Sequence, residues 1–193
     1  MNAVATQQQY TPEDLLALPD EKDYELVDGN LVERNVSLLS SWVGGRLHIR
    51  LGAFVEDNDL GTVWPADNGF QCFPDAPGKV RKPDVSFIRR ERFSTDDLIE
   101  GYLRIPPDLV VEVISPNDLA WEVEAKVDEY LRAGVRLVWI IDPHTRTVRI
   151  HRDDGTASRL RPEDEISGED VIPGFRCAVR DLFPPPRPAG PAA

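Results

Sequence analysis

The sequence predicts an α/β domain, of the α+β type with a mixed sheet, and three observations carry that prediction. Residues 108–115 form an apolar, β-branched run, a helical stretch follows as far as about Ala133, and residues 136–142 form a second apolar run. Strand, helix and strand in that compass make a crossover, which requires parallel neighbours joined by a right-handed connection. Asp142-Pro143 then turns the chain, and residues 147–152 alternate as a returning antiparallel strand. The third observation lies near the start, where Asp28-Gly29-Asn30 separates two alternating runs, 24–27 and 31–34. An Asp-Gly in that setting marks a β-hairpin.

The remaining elements follow in chain order. Thr11-Pro12-Glu13-Asp14 opens a short helix that stops by Pro19. Thr11 is placed to cap it, Pro12 suits its first turn, and the two acids favour the positive end of its dipole. From Ser37 to Glu56 the apolar residues Leu39, Val43, Leu47, Leu51, Phe54 and Val55 recur at helical spacing. Gly44 and Gly45 cost that helix about 1 kcal/mol each relative to Ala, which predicts close packing against another element. Residues 62–73 are expected to add a strand or two, 74–78 a loop, and 80–88 an alternating strand in which Asp84, Ser86 and Ile88 share one side. A loop with a short helix is expected over 92–106. Asn117 or Asp118 is the expected N-cap of the central helix, and Gly134 its left-handed C-terminal cap. Beyond Asp153 the chain is acidic and turn-rich, with a last strand or short helix over 171–183.

The chain has 193 residues, of which 41% are hydrophobic and 29% charged. That is ordinary globular composition and excludes wholesale disorder. The length predicts one domain, over residues 10–183, with flexible tails at 1–9 and 184–193. No apolar run approaches the roughly 18 residues that span a bilayer, and the polar start is no secretory signal, so the expected location is cytoplasmic. Cys72 and Cys177 are too few and too far apart for a disulfide framework or a thiolate zinc site. His48, His144 and His151 show no metal-ligand spacing. The net charge of −12, from 34 acids and 22 bases, argues against a surface that binds nucleic acid all over. Bases do cluster locally, however: Lys79, Arg81, Lys82, Arg89, Arg90 and Arg92 stand close together. That cluster reads either as a solvated strand end or as a local anion-binding patch.

Three residues stand out chemically. Glu112 interrupts an otherwise apolar strand, and a lone carboxylate there costs several kcal/mol unless it is paired, protonated or bound to metal. Two readings stay open: a strand-end Glu held by an Arg or backbone amides, and a metal ligand. Asp84 follows Pro83 at the start of another core strand. Two carboxylates from adjacent strands suit Mg²⁺, which prefers oxygen ligands and retains waters. Lys126 lies at the margin of the buried helical stripe formed by Leu119, Val123, Val127, Tyr130 and Leu131. It reads either as an inward-reaching cation or as the surface partner of Glu122 at i,i+4.

Lys82-Pro83-Asp84-Val85, the block 107–116 (Pro-Asp-Leu-Val-Val-Glu-Val-Ile-Ser-Pro), Lys126 with Tyr130, Ala133-Gly134-Val135 and the block 138–143 together resemble the Uma-type restriction endonuclease family. The hairpin 24–32 and Pro173-Gly174-Phe175 resemble it too, so the likeness covers roughly residues 10–183. It implies the PD-(D/E)XK nuclease fold, a restriction-endonuclease-like core with a mixed central sheet flanked by helices. It also implies metal-dependent hydrolysis of DNA phosphodiester bonds, with Mg²⁺ (or Mn²⁺) held by Asp84 and Glu112. The superfamily's water-positioning lysine stands two residues beyond the second acid. Here that place is Ile114, and Lys126 on the following helix is the candidate replacement. Glu25 is a possible additional acid, and Lys79, Arg81 and Lys82 are candidates to contact the DNA backbone. The family often carries a His before its long N-terminal helix, where Ser40 stands here, which leaves that position without an acid–base role. Cutting both strands implies a homodimer. The alternative is a catalytically degenerate module on the same fold, which binds or regulates without cutting. A third reading is an enzyme acting on RNA or another phosphodiester.

Overall fold

A computed structural model describes residues 8–94 and 101–185. Most of both predicted tails and part of the 92–106 loop lie outside the described residues. The centre is a six-stranded mixed sheet in the order β3-β4-β5-β6-β7-β8, built from β3 (Gly61–Pro65), β4 (Val85–Arg89), β5 (Leu109–Val113), β6 (Leu137–Asp142), β7 (Thr147–Arg152) and β8 (Ala157–Leu160). Only β5 and β6 run parallel, and the helix α3 (Ala120–Arg132) makes their crossover. Every other neighbouring pair in this sheet is antiparallel.

Two helices cover the two faces. The long helix α2 (Leu38–Asp57) buries Val43, Leu47, Leu51 and Val55 against Val85, Phe87, Leu109, Val111 and Val113. Ile166, Phe175 and Leu182 of the C-terminal segment complete that layer, which also contains the hairpin β9 (Glu165–Ser167) and β10 (Arg176–Ala178). Trp139 stacks on Phe175 there, ring centroids 6.2 Å apart. On the opposite face, α3 packs Val123, Val127 and Tyr130 against Val110, Val138 and Ile140. Residues of β5 therefore alternate strictly, Val111 and Val113 toward α2, Val110 and Glu112 toward α3.

The N-terminal hairpin pairs β1 (Tyr24–Val27) with β2 (Asn30–Glu33), and its turn has positive φ at both Asp28 (50°) and Gly29 (76°). That geometry matches the right-handed twist of the strands. The short helix α1 (Pro12–Leu16) is capped by Thr11 as expected, and Asp14 accepts from the Thr11 amide to complete a capping box. Leu15, Leu26, Val80 and Tyr102 form a small core of their own beneath the hairpin.

Several expectations are corrected. The N-cap of α3 is Leu119, without a side-chain cap; Asp118 instead accepts from Ser115 N at 2.7 Å and from Asn35 Nδ2 at 3.0 Å, closing the turn before the helix. The helix does end as expected, on Gly134 at φ 95°, with Val135 N bonded to Tyr130 O and Gly134 N to Leu131 O. Of the two glycines in α2, only Gly44 is closely packed: a Cβ there would meet Asp84 Cβ at 3.8 Å and Val113 Cγ2 at 4.0 Å, whereas at Gly45 nothing lies within 4 Å. Residues 79–82 do not belong to β4, because Val80 bridges Leu26 and Arg81 bridges Phe70. Residues 62–73 yield β3 alone among named strands, and the acidic C-terminal third contains β8 and β9, whose mixed polar residues show no clear alternation.

Trp139 is fully buried, and its indole N–H has no hydrogen-bond partner among the described residues. Trp139→Ala should cost about 3–5 kcal/mol, whereas Trp139→Phe should cost under about 1.5 kcal/mol, since it also removes an unsatisfied donor. Urea titrations of the two variants check both values.

Candidate functional site

The site forms where β4 and β5 begin to part. Val85 pairs with Val111, so one step further Asp84 faces Glu112 across the two strands. Asp84 keeps the strands joined there, accepting from Val113 N at 2.7 Å. Its other oxygen lies 3.7 Å from Arg34 Nη2. A cleft of about 400 Å³ opens in front of the two acids, lined also by Glu25, Arg34, Lys126 and Trp121. A second cavity, about 500 Å³, lies on the other side of Asp84, against Ser40, Gly44 and His48.

Glu112 solves its burial problem through α3. Tyr130 Oη donates to Oε1 at 2.6 Å, and Lys126 Nζ lies 3.3 Å from Oε2. Both donors project from the helix that follows the strand, one turn apart, on the side that packs against the sheet. Lys126 therefore faces inward, and the i,i+4 pairing with Glu122 does not form. Its ammonium also lies 3.2 Å from Glu25 Oε2. Burial disfavours the lysine's charge, yet Glu112 and Glu25 together hold its pKa well above the ordinary range. A lysine so held stays cationic, which suits it to orienting and stabilising charge and not to accepting a proton.

Glu25, on β1, is almost wholly buried and is the hub of the arrangement. It accepts from Arg81 Nη1 at 2.9 Å and from Lys82 N at 2.8 Å, besides Lys126. Burial alone would raise its carboxyl, but Lys126, Arg81 and the Lys82 amide outweigh it and bring the pKa down to about 2. Asp84 behaves in the opposite way. Burial and repulsion from Glu112 push it up to about 7, against the Val113 amide, Arg34 and Lys126.

The basic residues expected at the DNA backbone are placed differently. Lys79, Arg81 and Lys82 are 7%, 6% and 1% exposed. Lys79 and Arg81 pair with Glu129 of α3 at 2.5 and 2.7 Å, and Lys82 Nζ bonds Glu21 at 2.7 Å. They are spent on carboxylates inside the protein, because the strand segment carrying them threads between the hairpin and α3. They support the acids from behind. Arg34 and Glu129 carry no sequence signal for their roles here, since each sits in a locally ordinary context and only the packing of hairpin on helix brings them to the site; Tyr130 is legible as a buried-stripe residue, but not as a partner of Glu112. Ser40 closes a capping box with Ser37 and accepts from Ser115 Oγ at 2.9 Å, a structural duty.

Among the described residues no group of three or more His, Cys, Asp or Glu is disposed to hold a metal ion. The cleft offers a facing pair of carboxylates, one of them, Asp84, driven toward protonation by burial and then by the other. That donor set fits a hydrated divalent cation with hard oxygen preference and would not make an all-protein cage.

Comparison with known proteins gives the family and the fold. The family model Uma2, described as putative restriction endonuclease, matches residues 12–180, and the chain belongs to that family. Proteins of the restriction-endonuclease-like kind are generally metal-dependent. No curated protein matches the chain. Its fold is similar to the crystal structure of a putative nuclease belonging to DUF820 from Anabaena variabilis ATCC 29413, with a TM-score of 0.75 at 19% identity, covering 90% of this chain and 97% of that one. No described helix is long and apolar enough to cross a membrane.

The opposite pKa shifts predict opposite pH effects. Glu25, lowered from 4.5, contributes stability that is present above pH 4.5 and lost as pH falls toward 2. Glu25→Gln should therefore cost about 2–4 kcal/mol at pH 7, less as pH falls through that window. Asp84, raised from 3.8 to about 7, makes the fold less stable as pH rises through that range. Asp84→Asn should accordingly stabilise the metal-free protein by about 1–2 kcal/mol at pH 8 and by little near pH 4. Denaturant melts in EDTA across pH 3–8 check both signs.

Proposed function

We propose that residues 10–183 act as one endonuclease domain that hydrolyses DNA phosphodiester bonds with the help of Mg²⁺, Mn²⁺ substituting. The observation that carries this reading is the convergence of Asp84, Glu112 and Lys126 on one cleft, with Lys126 Nζ 3.3 Å from Glu112 Oε2 although it comes from the helix and not from the strand. Asp84 and Glu112 would hold the cation, which when bound supplies a Lewis acid and a more acidic water. Lys126 orients the attacking water and stabilises negative charge developing on the phosphoryl oxygens. Tyr130 keeps the Glu112 carboxylate turned toward the cleft. Glu25 is an additional acid of the site only indirectly, since its oxygens are occupied by Arg81, the Lys82 amide and Lys126. Arg34, on the cleft wall beside Asp84, is the cation placed to meet a phosphate. We place the enzyme in the cytoplasm, acting as a homodimer on double-stranded DNA.

A non-catalytic module on the same fold is the second reading. It is favoured by Ile114 at the place of the missing lysine and by the burial of Lys79, Arg81 and Lys82, which leaves an acidic protein with fewer bases for DNA.

Supercoiled plasmid at low salt in Mg²⁺ or Mn²⁺ should be nicked or linearised by the wild-type protein and left intact in EDTA. Asp84→Ala and Glu112→Ala should abolish cleavage, and Lys126→Ala should lower it by about 10²–10³-fold. Circular dichroism confirms that each variant is folded. No cleavage, together with no Mg²⁺ or Mn²⁺ binding by calorimetry, would establish the non-catalytic module; metal binding without cleavage redirects the assay to RNA and single strands.

A further inference from the structure

The helix α2 has two apolar faces, and its protomer uses only one of them. Ser40, Val43, Gly44, Leu47, Leu51 and Val55 are buried on the sheet. On the outer side Leu38 is 91% exposed, Ile49 67% and Trp42 40%. Together with Gly45 and Gly52 they form the series 38, 42, 45, 49, 52, whose steps are four, three, four and three. That is the a/d rhythm of a helix-pairing seam. At 3.6 residues per turn the five positions fall within an arc of about 80°.

The glycines sharpen the case for a seam. Each costs a helix interior about 1 kcal/mol relative to Ala. Gly44 has a reason within the protomer, because Asp84 and Val113 lie against it, but a Cβ at Gly45 or Gly52 would meet nothing within 4 Å. Bare backbone on an exposed apolar stripe lets a second helix approach closely.

Charge along the same helix says which helix. Arg46 lies beside the seam with its guanidinium over the Trp42 ring, 5.8 Å from the centroid. Glu56 and Asp57 end the helix, and among the described residues none of these three side chains has an ion-pair partner. Arg46 and Asp57 lie on the same flank of the seam, about 20° apart on the helical wheel. A two-fold axis that sets Gly45 of one helix against Gly52 of another keeps like flanks together. Because a helical side chain leans toward its own N-terminus, that pairing brings each Arg46 head near the Asp57 end of the other helix. The stripe is complementary to its own antiparallel copy. We infer that α2 is a dimerisation helix, and that its occupant is α2 of a second copy of this chain, packed antiparallel along Leu38, Trp42, Gly45, Ile49 and Gly52.

This interface lies on the face of the sheet opposite α3; it deepens the homodimer of the proposed function, but its test does not depend on cleavage. Sedimentation equilibrium from about 1 to 100 µM tests it without any substrate. The wild-type protein should sediment as a dimer. Ile49→Glu should yield a monomer with an unchanged circular dichroism spectrum. Arg46→Glu and Asp57→Arg should each weaken association by about tenfold or more, and the double charge swap should restore it. A wild-type monomer throughout the range, or a dimer that Ile49→Glu leaves intact, overturns the inference. Failure of the charge swap to restore what the single reversals weaken overturns the antiparallel arrangement.

Discussion

A carboxylate in the middle of an apolar strand must be answered by its neighbours, and Glu112 sets the terms for everything around it. Its strand is covered by α3 on the side to which it points, so water alone cannot solvate it. The answer is Tyr130 on one oxygen and Lys126 on the other, both from that covering helix. Lys126 is then itself a half-buried cation with donors to spare, and Glu25 of the hairpin supplies a second acceptor. Glu25 in turn gathers Arg81 and the Lys82 amide, and Arg81 reaches Glu129 on α3. The chain of obligations closes on the helix where it began. It joins hairpin, strand and helix through charges that would each be costly alone.

This closed network leaves Asp84 outside. It has a backbone amide and one arginine at 3.7 Å, while burial and Glu112 push against its charge. The fold thus neutralises one side of the site fully and leaves the other short of positive charge. Such an imbalance has the character of a binding site for a cation, and it is also a local instability that the rest of the core has to carry. The large apolar layers on both faces of β5 and β6 carry it, and they hold the two acids in register because a shift of one residue would turn Glu112 into the α2 core.

Much of this is legible in the sequence. The crossover from β5 through α3 to β6 and the Asp-Gly hairpin show through turn chemistry and periodicity, which are local. Glu112 stands out because a carboxylate in an apolar run breaks the pattern, and Asp84, a Pro-Asp opening a second core strand, gains meaning only beside it. The N-cap of α3 is harder to read, because Asp118 has two possible local uses and the partner that decides between them, Asn35, lies far away in sequence. The edge strand β8 leaves no clear signal because its residues are exposed or half-buried and mostly polar, and β9 is too short, with Ile166 its single buried residue, to show a period. The basic run at 79–82 resembles a surface patch for a related reason: composition counts charges but does not show which are already paired.

By itself the sequence determined the order and kind of the central elements, the two facing acids, and the presence of a lysine at the edge of a buried helical stripe, since these follow from hydrophobic period, turn residues and chain proximity. Tertiary structure alone decided which carboxylate each cation answers, that Lys126 turns inward, that Glu25 is a hub, and that one face of α2 remains uncovered. Those outcomes depend on packing between segments distant in the chain, where the energy of a charge is set by what surrounds it and not by its neighbours in sequence.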